Sequence, residues 1–335
     1  MKNKYLIITL LLLTAMASAK KITIKLATLA PQGSEMHALM VEMGQQWEAA
    51  TDGNVALRIY PNGVVGDERD MIRKIRIGQI HAAAVTTEGL SVISPDVYGF
   101  LVPMLFDDFD DVDWVRNGIA EELENDFNEN GFIILNWGDV GWAYWFTKKP
   151  LKNPQDLENM KIFTWAGDYH SDELWKNAGY HSVQIAYLDV LSGLQTGLID
   201  AIATPSIIAL SNQYIGSTKY MLDLKWGLVT GGTVIDKKIW NRIQPVHQEQ
   251  MLNIAREIGV RQQVENRKLD QQAIAAMEQY GLIVYTPSAE ELKTWKALVK
   301  SFYPLIRGSL IPEKIFDRVI QLKAEKDLQD TLITN

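Results

Sequence analysis

The chain has 335 residues, a formal net charge of −8, 47% hydrophobic residues and no Cys. The acidic balance, with no basic stripe carrying interleaved aromatics, argues against a nucleic-acid partner. The missing thiols exclude disulfides, thiolate catalysis and Cys-held zinc, so stability must come from a hydrophobic core.

Residues 1–19 begin with Lys2 and Lys4, continue through the apolar run Tyr5–Leu13, and end in Ala17-Ser18-Ala19. This order predicts a secretory signal cleaved after Ala19 and export to the periplasm. The apolar run falls short of the about 20 residues needed to span a bilayer. Cleavage removes two Lys and takes the formal net charge to about −10 over about 316 residues. That length exceeds what one hydrophobic core usually holds, so two domains are expected.

Ile22–Leu29 alternates and predicts a first strand, and Ser34 then caps a helix whose first turn carries Glu35. Val55–Tyr60 reads as a second strand closed by Pro61-Asn62-Gly63, followed by a helix from about Asp67 to Ile77. Next comes the phrase Gly78-Gln79-Ile80-His81-Ala82-Ala83-Ala84-Val85-Thr86, which recurs 119 residues later as Gly197-Leu198-Ile199-Asp200-Ala201-Ile202-Ala203-Thr204. In each copy a Gly ends a helix where positive φ is needed, and a β-prone run stops at a Thr. Between them lie a helix over Val112–Asn130 and a strand over Phe132–Trp137. A second α/β run then starts near Pro150, with a strand at Lys161–Thr164 and helices at Ser171–Ala178 and Tyr187–Thr196. The repeated strand–helix rhythm predicts two similar α/β lobes whose strand ends face one cleft. From Pro245 to Tyr280 only Gly259 interrupts a helical pattern. It reads either as one helix about 50 Å long, bracing both lobes, or as two helices broken at that Gly.

No nucleophile elbow, phosphate loop, dinucleotide fingerprint or zinc-protease motif occurs. Asp168, His170 and Glu173 form the best local metal-like cluster, but the same residues read as a helix start, and no cofactor or metal is expected. Asp107–Asp111 likewise reads as a turn and helix start. Aromatic residues are the stronger signal. Trp137, Trp142, Trp145, Trp165 and Trp175, half of the ten Trp, fall within 39 residues, beside Tyr144, Phe146 and Phe163. Such rings suit an apolar or planar ligand, or else fill the core.

Thr28-Leu29-Ala30-Pro31, Tyr60-Pro61-Asn62-Gly63-Val64-Val65-Gly66, Pro103-Met104-Leu105-Phe106, Pro154-Gln155-Asp156-Leu157-Glu158-Asn159-Met160-Lys161-Ile162 and Leu194-Gln195-Thr196-Gly197-Leu198-Ile199-Asp200 resemble, in order, blocks of the DctP-like solute receptors of tripartite ATP-independent periplasmic (TRAP) transporters. The resemblance covers nearly the whole mature chain. It implies an α/β, two-lobed, periplasmic-binding-protein-like fold with a long helix bridging the lobes. The boundaries it suggests are 20–145 for lobe I, 146–235 for lobe II, and 236–335 for the bridging and C-terminal helices. It also implies a non-enzymatic receptor that delivers a small-molecule ligand to the small and large permease subunits of the membrane. A periplasmic helical-repeat protein is the alternative recipient.

Departures from the family pattern concern the cargo. Acid-binding relatives carry an Arg after the Lys-Ile pair, where this chain has Phe163. A second cationic position aligns with Trp142, and an Asn position aligns with Thr204. A desolvated carboxylate without a paired cation is strongly disfavoured. The expected ligand is therefore apolar or uncharged at its anchoring end, held by Thr86, Trp142, Phe163, Trp165, Thr204 and Trp226, with Thr87 and Glu88 as lesser contacts. Two alternatives are an organic acid held by Lys161, Lys225 or Arg116, and a periplasmic metal enzyme built on Asp168, His170 and Glu173.

Overall fold

A computed structural model describes residues 21–334, so the expected signal and its cleavage site lie outside the described residues. The first part of the chain runs β1 (Ile22–Thr28), α1 (Glu35–Ala50), β2 (Val55–Tyr60), α2 (Glu68–Arg76), β3 (Ala82–Thr86), α3 (Thr87–Leu90), α4 (Phe109–Glu129) and β4 (Phe132–Thr147). The second runs β5 (Lys161–Trp165), α5 (Tyr169–Asn177), β6 (His181–Ile185), α6 (Val190–Thr196), β7 (Ala201–Pro205), α7 (Ser206–Ser211) and β8 (Tyr220–Asp236). The remainder is α8 (Lys237–Trp240), α9 (Pro245–Gln279), β9 (Ile283–Tyr285), α10 (Ala289–Ile306) and α11 (Glu313–Thr334).

Local chemistry sets the elements as the residue pattern predicts. The Ser34 hydroxyl accepts from His37 N at the head of α1, and Asp108 accepts from Asp111 N at the head of α4. Both glycines of the doubled phrase are left-handed, with φ of 74° at Gly78 and 77° at Gly197. Each releases a helix into a short strand, β3 or β7.

One sheet carries both lobes, in the order β2-β1-β3-β8-β4-β7-β5-β6, with β9 beside β8. β1 pairs with β2 and β3 in parallel, and β5 pairs with β6 and β7 in parallel. The two parallel groups are joined by β4 and β8, which pair antiparallel from Phe132↔Asp236 to Thr147↔Tyr220. The strand expected over 132–137 thus continues another ten residues into the second lobe. Its register with β8 shifts between Ile134 and Asn136, Asp139 and Gly141, and Ala143 and Trp145. Such bulges bend a strand and increase its twist, which turns one half of the sheet relative to the other.

α9 is one unbroken helix of 35 residues, and this resolves the two readings of Gly259. A mid-helix Gly normally costs about 1 kcal/mol relative to Ala. Here a Cβ would sit 2.7 Å from Asn136 Cβ and 2.8 Å from the Trp137 carbonyl oxygen. The missing side chain lets α9 lie directly on β4, where Asn136 Nδ2 donates to Ala255 O at 3.0 Å.

Candidate functional site

The strand ends of both lobes enclose a cavity of about 480 Å³. Thr86 reaches it from the end of β3 and Thr204 from the end of β7, the two strands of the doubled phrase. Phe163, Trp165, Trp226, Thr87 and Glu88 also border it.

Two aromatic walls face this space. On one, Trp165 stacks on Tyr187 with centroids 4.9 Å apart and planes 7° apart, and Phe163 lies 5.8 Å from Trp165. The other is formed by Trp145, Trp175 and Trp226, with Trp145 contacting Trp175 at 5.7 Å and Trp226 at 5.5 Å. Trp145, Trp175 and Tyr187 were not singled out as site residues, although both Trp belong to the aromatic concentration that pointed to the cleft.

Trp142 is the correction. It does not border the cavity; its ring is buried against Phe109, centroids 5.2 Å apart, with Lys225 Nζ 4.9 Å from its centroid. β4 is irregular on both sides of it, and the strand turns this ring toward the start of α4 while Trp145 borders the cavity.

The three cations considered as substitutes for the family's Arg are engaged elsewhere. Arg116 pairs with Asp139 and Asp113. Lys161 donates to Gly197 O and lies 3.8 Å from Asp200, and Lys225 donates to Asp107 O. None of the three borders the cavity. Nor do Asp168, His170 and Glu173 converge: Asp168 is buried and accepts from Ser171 N at the head of α5, whereas His170 and Glu173 are exposed.

The Thr86 hydroxyl is already committed. It donates to Glu68 Oε2 at 2.8 Å and accepts from Glu88 N, capping α3. Glu68 also accepts from Thr86 N and Gly89 N, so a buried carboxyl organises the whole turn after β3. Nothing in the run Asp67-Glu68-Arg69-Asp70 distinguishes this role from ordinary helix-start charge. Asp67 Oδ2, at the same helix start, accepts from Tyr187 N at 2.9 Å and ties lobe I to lobe II.

Burial pushes the Glu68 carboxyl from its ordinary 4.5 up to about 7, against the downward pull of the hydrogen bonds from Thr86 and Gly89. The folded state therefore keeps a proton that the unfolded chain has released. Its contribution to stability is complete below about 4.5 and is lost as pH rises toward about 7. At 1.36 kcal/mol per unit, the loss across that window is about 3–4 kcal/mol. Urea unfolding at several pH values should show the wild type losing that much relative to Glu68→Gln. Parallel pH profiles for the two proteins would refute the assignment.

The family described as "DctP: Bacterial extracellular solute-binding protein, family 7" matches residues 26–307. Among characterised relatives, the 2,3-diketo-L-gulonate-binding periplasmic protein YiaO of Escherichia coli is 23% identical over 257 residues, 76% of this chain and 78% of that one. A TRAP periplasmic solute-binding protein of Haemophilus influenzae, solved with bound L-gulonate, superposes with a TM-score of 0.82 at 20% identity, covering 91% of this chain and 99% of that one. A counterpart from Sulfurospirillum deleyianum with bound succinate gives 0.81 at 18% identity, covering 89% and 98%.

Proposed function

Because the chain belongs to the DctP family of bacterial extracellular solute-binding proteins, a family of receptors rather than enzymes, we propose that it is the periplasmic receptor of a TRAP-type transporter, exported by a signal cleaved after Ala19 and serving membrane permease subunits. Its ligand presents no carboxylate to the cleft and is apolar or uncharged where it meets Phe163. The related proteins described above take organic acids by their names or bound ligands, and the cargo is where this chain departs from them.

The carrying observation is the cavity lining. Phe163 stands where an anchoring guanidinium is expected, and Arg116, Lys161 and Lys225 are paired outside the cavity. A carboxylate taken into this space would be desolvated beside aromatic rings and the carboxyls of Glu68, Glu88 and Asp168. An apolar body instead gains from each ring it covers, at about 25 cal/mol per Å² of apolar area removed from water. Contacts made only when both lobes close on it favour the closed form.

Mass spectrometry of whatever is released on denaturing protein purified from the periplasm tests this reading. A bound molecule without a carboxylate is expected. Stoichiometric recovery of a dicarboxylate or sugar acid would overturn it.

A further inference from the structure

Charged side chains from the two lobes meet at one part of the cavity wall. Arg69 Nε donates to Glu88 Oε1, its Nη2 lies 3.9 Å from Asp168 Oδ1, and the same nitrogen is 3.5 Å from the Tyr98 hydroxyl. Glu88 sits on α3 of lobe I and Asp168 heads α5 of lobe II, so two carboxylates share one guanidinium across the cleft. Both carboxylates are 6% exposed and both border the cavity. The second oxygens, Glu88 Oε2 and Asp168 Oδ2, have no protein donor among the described residues.

The same cavity holds further unmet polar groups. Thr164 Oγ1 and Trp145 Nε1 belong to residues 4% and 1% exposed, and neither has a hydrogen-bond partner among the described residues. Both residues line the cavity. Asp168 lies three residues beyond Trp165 at the end of β5, and its main-chain N–H donates to Trp165 O at 3.0 Å.

We propose that Glu88 and Asp168 form a subsite for the ammonium group of an organic amine whose apolar body lies along Phe163, Trp165 and Tyr187. The inference rests on the reading of Phe163 as a non-ionic wall and extends it to the charged part of the cavity. An ammonium group supplies the N–H donors that the free carboxyl oxygens lack, and its charge stabilises both groups in their ionised form. Aromatic faces nearby add cation–π attraction in a desolvated setting. Bridging one carboxylate from each lobe also makes the contact dependent on closure. Burial and the neighbouring Asp168 charge push the Glu88 carboxyl up to about 8, so near neutral pH the empty site holds a proton on Glu88 that a bound ammonium displaces.

Tryptamine, tryptophol and indole-3-propionate share an indole body and differ in head group. Calorimetric titration of the mature protein near neutral pH should rank tryptamine at least about tenfold tighter than tryptophol, with indole-3-propionate weakest, because charge-assisted hydrogen bonds are about twice as strong as neutral ones. Glu88→Gln keeps an acceptor for Arg69, and Asp168→Asn keeps a good helix cap. Each should weaken tryptamine by about tenfold while moving tryptophol less than about threefold, with unchanged thermal unfolding confirming that both variants fold. Equal affinities for amine and alcohol, or an amine affinity unmoved in both variants, would overturn the subsite and leave the proposed function standing. Tightest binding of indole-3-propionate would overturn both.

Discussion

Asp139→Asn should lower the unfolding free energy by about 3–5 kcal/mol, the cost of breaking one side of a buried ion pair. Asp139 is 0% exposed in the irregular middle of β4. Its carboxylate accepts from Arg116 Nη2, from Arg267 Nε at 2.8 Å and Nη2 at 2.6 Å, and from Gln263 Nε2 at 2.9 Å. Its main-chain oxygen accepts from Asn266 Nδ2 at 2.7 Å. Thus α4, β4 and α9 converge on one carboxylate where the sheet passes between lobes. The amide leaves two guanidiniums facing one half-exposed partner, Asp113. Urea unfolding is the measurement. Replacing Arg116 with Met in the Asp139→Asn background should restore part of the loss, since groups within one network do not add. Full additivity of the two changes would show that Arg116 and Asp139 are not coupled.

Phe163→Arg should convert the cleft toward acids. Phe163 lies on β5 with its ring half-buried at the cavity and 5.8 Å from Trp165. A guanidinium there offers paired donors to a carboxylate, and hydrogen bonds to charged groups are worth about 1.5–3 kcal/mol, or about 10–150-fold in affinity. Calorimetry with indole-3-propionate should show a gain in that range, with tryptamine weakened by the added positive charge. Adding Glu88→Gln should enlarge the gain, because Glu88 otherwise competes for the new cation. Unchanged carboxylate affinity in the double variant would show that position 163 does not face the ligand.

Legibility in the sequence followed interaction range. The helix starts at Ser34 and Asp108, the left-handed Gly78 and Gly197, and the strands they open into β3 and β7 are settled by neighbours within a few residues, so the pattern of polar, apolar and Gly positions was sufficient. The ordered blocks likewise carried the family and its fold. Trp142 was misplaced because its facing depends on bulges in β4, and bulges arise from pairing with β8, some ninety residues away in the chain. Gly259 was ambiguous for the same reason: propensity argues for a break, but contact with β4 requires the missing side chain.

By itself, then, the sequence determined the two-lobed α/β architecture and the receptor family. Only the tertiary structure decided which aromatic rings border the cavity, and that Arg116, Lys161 and Lys225 are spent on other partners. It alone also brought Glu88 and Asp168 to one guanidinium across the cleft. Charge pairing and burial are properties of residues far apart in the chain, and local pattern carries no record of them until the chain has folded.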